Sequence, residues 1–152
     1  MRCVLGSDWR LEMGELKHVV PTGKLRTGLV EQVGRQLPLY VSYERPADVF
    51  WVRFVTPQHQ VVVHHLQGQI SLLYLPGCYE VVGVCVENFV LGFLPGHSEA
   101  RRLWALSAPL LARSEGYSRL QKDGVTAPLV AQLLAEVRLS GRTSLASLAS
   151  VI

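Results

Sequence analysis

Five histidines, three cysteines and twelve arginines are the side chains of this 152-residue sequence with the most chemistry to offer. His64 and His65 are neighbours inside Val61–Leu66, a strand-like run. Successive strand side chains point to opposite faces, so the two rings cannot chelate one ion side by side. One ring is expected to face the core with Val61 and Val63, the other to share the opposite face with Val62 and Leu66. Either could serve as a lone base or ligand with a residue from a neighbouring strand. The plainer reading is a half-buried strand histidine whose ring is satisfied. Cys78 follows Pro76-Gly77 at a turn, whereas Cys85 sits in the apolar run Val81–Val86 and reads as a small buried hydrophobe. A cysteine nucleophile needs a thiolate stabilised by a histidine, a cation or a helix N-terminus. His64, His65 and Cys78 are therefore the catalytic candidates of an alternative reading, a small Cys/His enzyme with its site in the β-rich part.

Other chemistries find little support. The cysteines are odd in number and lack a CxxC, which argues against a secreted disulfide framework and predicts reduced thiols in a cytoplasmic protein. The histidines and cysteines supply no four-ligand set for zinc, so no metal is expected. Thr22-Gly23-Lys24 lacks the upstream glycine of a phosphate loop, so neither nucleotide hydrolysis nor a bound cofactor is expected. Glu80 and Glu87 flank an apolar strand and read as marking its ends. No window approaches the run of about 20 apolar residues that a spanning helix needs. Charged residues crowd the first twenty positions, so no secretory leader is expected there either.

Charge is informative by position. Residues 1–97 hold eight basic and eight acidic residues, whereas residues 98–152 hold seven basic and four acidic. The whole formal net charge of +3 thus lies in the last third, a pointer to an anionic partner. Arg101, Arg102, Arg138 and Arg142 are its partner-binding candidates. Between Arg53 and Arg101 there is no Lys or Arg, which marks that stretch as the core of the fold. Phe54 to Leu94 is expected to supply most of the buried side chains, Val63 and Val82 among them. Tyr40, Tyr43, Phe50, Trp51 and Phe54 cluster near Arg45 and Arg53. They either fill a β-structure or, with Trp51 and Arg53 on one exposed face, stack unpaired bases.

The elements that must position these residues fall into two parts. Composition fits one globular domain, 49% hydrophobic with mean hydropathy +0.22. Up to about residue 95 the pattern is strand-like, over Leu37–Tyr43, Val49–Val55, Val61–Leu66, Ile70–Leu75 and Tyr79–Val86. Turn signals at Arg45–Asp48, Thr56–His59, Gln67-Gly68, Pro76-Gly77 and Pro95-Gly96 recur every ten residues or so. The expectation is an α+β fold. Residues 1–97 would form an antiparallel β-rich body (meander, barrel or sandwich) and residues 98–152 a helical segment of two to three helices. Asn88–Leu94 reads either as a bulged last strand or as a buried helical turn. Ser98 opens a helix with apolar positions Leu103, Trp104, Leu106, Leu110 and Leu111, and Pro109 should break or kink it near Ala105–Ser107. Gly116–Gly124 reads as a hinge. Thr126 caps a second helix with the stripe Leu129, Val130, Leu133, Leu134 and Val137, stopped by Gly141, and Ser144 opens a third.

The run Pro128–Arg138, followed by Leu139-Ser-Gly-Arg-Thr-Ser144 and Leu145-Ala-Ser-Leu-Ala-Ser-Val-Ile152, resembles the opening two helices of a winged helix-turn-helix. The resemblance covers about 25 residues. In that family the next helix reads bases, and this sequence stops where it would begin, so a complete reader is not expected. The other reading is a small-residue hairpin (Ala131, Ala135, Ala146, Ala149) packed on the body or on a second subunit. The functional expectation is a non-enzymatic binding or regulatory module. Its partner would be a protein, a second copy of the chain or a nucleic acid, with no membrane involved.

Overall fold

The computed structural model describes residues 38–111, 116–121, 124–140 and 143–144, with side chains of 138–140 and 143–144 excepted. Five strands come first: β1 (Tyr40–Glu44), β2 (Val49–Arg53), β3 (Val62–Gln67), β4 (Ile70–Tyr74) and β5 (Val81–Val86). All pair antiparallel, and with the short β6 (Ser118–Arg119) they form one sheet in the order β3-β4-β5-β2-β1-β6. A π-helical turn (Phe89–Phe93) and a 3-10 turn (Leu94–Gly96) lead into α1 (Ser98–Leu111). After β6 come α2 (Ala127–Ala135) and a hairpin of β7 (Arg138–Ser140) and β8 (Thr143–Ser144). The architecture is α+β, a β-rich body followed by a helical segment.

Turn chemistry explains the strand boundaries. Asp48 closes the β1–β2 turn at φ 55°, a left-handed conformation that Asp tolerates better than most residues. Gly68 (φ 51°) begins the two-residue link from β3 to β4, and Gly77 (φ 92°) follows Pro76 in the β4–β5 connection. At the centre, β5 meets β2 through Gly83, where a Cβ would lie 2.4 Å from the Val52 carbonyl oxygen. Only glycine lets the two strands come that close.

Both faces of the middle strands are buried. Val41, Phe50, Val52, Ile70, Leu72, Val84 and Val86 pack against Leu103 and Leu111 of α1 and Leu129, Leu133 and Leu134 of α2. On the second face Val49, Leu73, Val82 and Cys85 form another apolar cluster with Trp51. Val82 is fully buried as expected, but Val63 is 45% exposed. The register explains the difference. Val62, opposite Tyr74, is buried, whereas Val63 and His65 point outward on the edge strand. The inward side of β3 is therefore that of Val62 and His64, the reverse of the expected assignment.

Asn88–Leu94 resolves into the helical alternative, as a π-turn. Beyond it the helical segment departs from its sequence reading at four points. Pro109 does not break α1, which runs through it to Leu111. Its missing N–H would have met the carbonyl of Ala105, an exposed residue where water can serve instead. Gly116–Gly124 is no simple hinge, because Ser118–Arg119 adds to β1 and the Leu120 N–H donates to the Leu39 carbonyl at 2.7 Å. Thr126 stands before α2 without a side-chain capping bond. Finally, α2 ends at Ala135 and residues 138–140 pair with 143–144, so Ser144 belongs to a strand. The expected helix over 145–152 lies outside the described residues. The stripe Leu129, Val130, Leu133, Leu134 and Val137 is buried in the chain's own core, and so is not left to a second subunit.

Asp48 joins the two parts. Its carboxylate accepts from Tyr43 Oη (2.7 Å) and from the N–H groups of Val90 (2.9 Å) and Leu91 (3.2 Å). Its own carbonyl accepts the Phe89 N–H at 2.9 Å. Burial and the neighbouring carboxylate push the Tyr43 phenol up to about 12, so it remains a donor. Asp48→Ala should cost about 2–4 kcal/mol, through three lost hydrogen bonds and a left-handed backbone that alanine resists. Val82→Ala should cost about 1–3 kcal/mol and Val63→Ala less than about 0.5 kcal/mol. Urea unfolding of the three variants checks this ordering.

Candidate functional site

The side chains singled out for chemistry do not converge on one place. His65 lies on the exposed edge, where its Nε2–H donates to the Gly68 carbonyl at 2.9 Å. His64 faces inward beside Tyr74, with ring centroids 6.4 Å apart. Burial, and secondarily the charge of His65, hold the His64 imidazole below its ordinary 6.5. Cys78 is disulfide-bonded, so it is not the reduced thiol expected; its partner lies outside the described residues. Cys85 is a free thiol, fully buried, and burial pushes it up to about 12. A group so far from ionising at neutral pH is no thiolate nucleophile. Among the described residues no three His, Cys, Asp or Glu side chains cluster as a metal site would require.

Trp51 and Arg53 share the second face of the sheet and both are half-buried, as their alternation in β2 implies. Arg53 is committed within the chain. Its Nε donates to Tyr117 Oη at 2.9 Å, and Nη1 donates to the carbonyls of Pro57 (3.3 Å) and His59 (2.8 Å). The guanidinium also lies 5.0 Å from the Tyr117 ring centroid. It thereby ties β2 to the β2–β3 crossover and to the chain entering β6. Trp51 Nε1 donates to Glu44 at 3.2 Å. Of the aromatic cluster, Phe50 and Phe54 are core residues. Tyr43 packs edge-on against Trp104 at 4.8 Å, so a base-stacking platform is reduced to Tyr40 and Trp51.

The arginines of the last third divide. Arg101 and Arg102 are exposed in the first turns of α1, and Arg102 makes a bidentate pair with Glu99 at 2.6 and 3.1 Å. Such an exposed pair stabilises little. The Arg138 backbone lies in β7, its side chain is outside the described set, and Arg142 lies outside the described residues.

The outward side of α1 is the feature that the apolar pattern alone did not reveal. The line Ala100, Leu103, Ser107 and Leu111 faces the sheet, and Trp104 inserts among Tyr43, Phe50 and Phe89. Leu106 and Leu110, apolar positions of the same helix, are therefore 55% and 53% exposed. They lie one turn apart, with Arg102 one turn before them. The signal in the sequence was Ser107. Its Oγ donates to the Leu103 carbonyl at 3.0 Å and lies 3.3 Å from the Val125 carbonyl, fixing the small residue on the inward line.

His97 is a second group given no role in advance. Its ring stacks on Phe93 at 3.9 Å, Nδ1–H donates to the Phe93 carbonyl at 2.8 Å, and Nε2 lies 3.8 Å from Glu136 after α2. It joins the start of α1 to the end of α2. Among the described residues every buried side-chain nitrogen and oxygen has a partner, so none stands ready for a ligand. No family model, curated protein or solved structure matches the chain.

The His64 environment sets a pH dependence. A base held below 6.5 in the folded state binds its proton more readily when unfolded. Its contribution is present above pH 6.5 and lost as pH falls through the depressed folded value. Urea midpoints should drop between pH of about 7 and about 5. His64→Gln should flatten that drop, while His65→Gln should leave most of it.

Proposed function

We propose that this chain is a non-enzymatic binding module that pairs with a second copy of itself through the outward side of α1. The observation that carries this reading is the exposure of Leu106 and Leu110, one turn apart, on a helix whose opposite side is already docked. Apolar side chains aligned on an exposed helix face suit a facing helix. A twofold antiparallel arrangement would set Arg101 and Arg102 of each copy beside the last turn of the other α1. The carbonyl end of a helix favours cations there. Contacts beyond the helix would have to contribute, because stable pairs bury about 1,200–2,000 Å² in total.

The chain's polar groups support a binding role over catalysis. Arg53, Asp48, His65 and His97 are bonded to the chain's own backbone or side chains. The alternative Cys/His reading loses its thiols, one to a disulfide and one to burial. No helix is long and apolar enough to cross a membrane among the described residues. The cytoplasmic expectation rested on reduced cysteines, and the disulfide at Cys78 removes that support.

Light scattering across a dilution series tests the reading. The wild type should run as a dimer, and Leu106→Glu with Leu110→Glu should weaken it at least about tenfold, close to 1.4 kcal/mol. Melting behaviour should stay near wild type, because both side chains already face water. A wild-type monomer would overturn the proposal. So would retention of a nucleic acid with a steep salt dependence that Arg101→Ala and Arg102→Ala abolish, since that assigns the surface to phosphates.

A further inference from the structure

The outward side of α1 carries more than Leu106 and Leu110. Residues 101, 105 and 109 form one line along the helix and residues 102, 106 and 110 the next, and all six are exposed. The first line is Arg101, Ala105 and Pro109. Arg102 is held by Glu99, but among the described residues the Arg101 guanidinium has no bonded partner. Pro109 stands inside the helix and has no N–H to offer the Ala105 carbonyl. That carbonyl is an acceptor without its helical donor, set beside two exposed leucines. Arg101 does not serve it within the chain. Helical side chains lean toward the N-terminus, whereas the carbonyl points toward the C-terminus. In a free chain water meets the carbonyl. Under a second surface an unmet carbonyl is costly, so whatever covers this face has to bring a donor.

We propose that, when two copies pair through α1, Arg101 of each donates to the Ala105 carbonyl of the other, so that Pro109 sets the register of the pair. The inference rests on the self-pairing reading above and adds the polar contact that selects a second copy as occupant. A donor and an acceptor lie one turn apart on the same face, and a twofold axis presents both in opposite order on the facing helix. With Arg101 of one copy level with Ala105 of the other, both donor–acceptor pairs form at once, one on each side of the axis. Leu106 of each helix then lies against the methylene stem of the other copy's Arg102. An apolar segment without a donor at this spacing would cover the leucines and leave the carbonyl unmet.

Light-scattering dilution series on Pro109→Ala and Pro109→Leu test this contact. Either substitution gives residue 109 an N–H, returns the Ala105 carbonyl to the helix and takes the acceptor from Arg101. Urea midpoints of the dilute, monomeric chain should rise, because an interior proline is costly to a helix. The dimer should nonetheless weaken roughly tenfold or more. Pro109→Leu keeps the apolar surface, so weaker pairing there is not a loss of area. Arg101→Ala should weaken the dimer to the same extent, and adding Pro109→Ala should weaken it little further, since the two share one contact. A wild-type monomer would overturn this inference together with the reading beneath it. A dimer that Leu106→Glu with Leu110→Glu weakens, but that Pro109→Ala and Pro109→Leu leave unchanged or tighten, would overturn this inference alone. Additive losses from Arg101→Ala and Pro109→Ala would do the same, because donor and acceptor would then not be partners.

Discussion

Asp48 is the residue through which the sheet and the helices hold each other. It sits in a β-turn with a left-handed backbone, and its carboxylate bonds both to Tyr43 of the hairpin and to the π-turn. Two consecutive backbone N–H groups of the π-turn and one phenol donate to it, while its carbonyl takes a third N–H. The start of a helical segment leaves donors without intrahelical partners. Here a side chain forty residues earlier in the sequence supplies the acceptors. The placement of Phe89, and with it the Phe50–Phe89–Trp104 contacts that seat α1, follows from that anchorage.

A second constraint acts inside the sheet. The β1–β2 hairpin and the β3–β4–β5 meander meet only at the β2–β5 pairing, and Gly83 is what permits the approach. The crossover from β2 to β3 passes the ends of β5 and β4, and Arg53 holds it by two carbonyl bonds. On the opposite edge β6 returns to β1, so the last third of the chain is part of the sheet as well as its cover. Helical and β-rich parts share one core, with Leu39, Leu103 and Leu129 in the same cluster.

This economy of polar groups bears on function. Residues of the kinds that do chemistry are present, but most of the polar ones act on the chain's own backbone. A guanidinium bonded to two carbonyls and a phenol has little left for a phosphate. An imidazole donating to a carbonyl has one nitrogen remaining, and at His97 that nitrogen already faces Glu136. Among the described residues the outward side of α1 leaves Leu106 and Leu110 exposed, and the binding role proposed above rests on that side.

Period, turn residues and composition were enough to read the strands from β1 to β5, the turns between them, the α+β class and the buried stripe of α2. Those features are local, set by alternation, by glycine and proline, and by the spacing of apolar residues along one helix. The rest needed the tertiary structure. Leu106 and Leu110 look like core residues until the sheet selects the line Ala100–Leu103–Ser107–Leu111. Val63 and His64 exchange sides because the pleat, without its neighbours, does not say which face is covered. Arg138–Ser140 reads as the end of one helix and Ser144 as the start of another until the β7–β8 pairing competes with them. Arg53 reads as part of an exposed face and Asp48 as a turn residue, yet their partners lie up to 64 residues away in sequence. Such choices depend on which surfaces meet, and period and propensity measure only what each segment prefers alone.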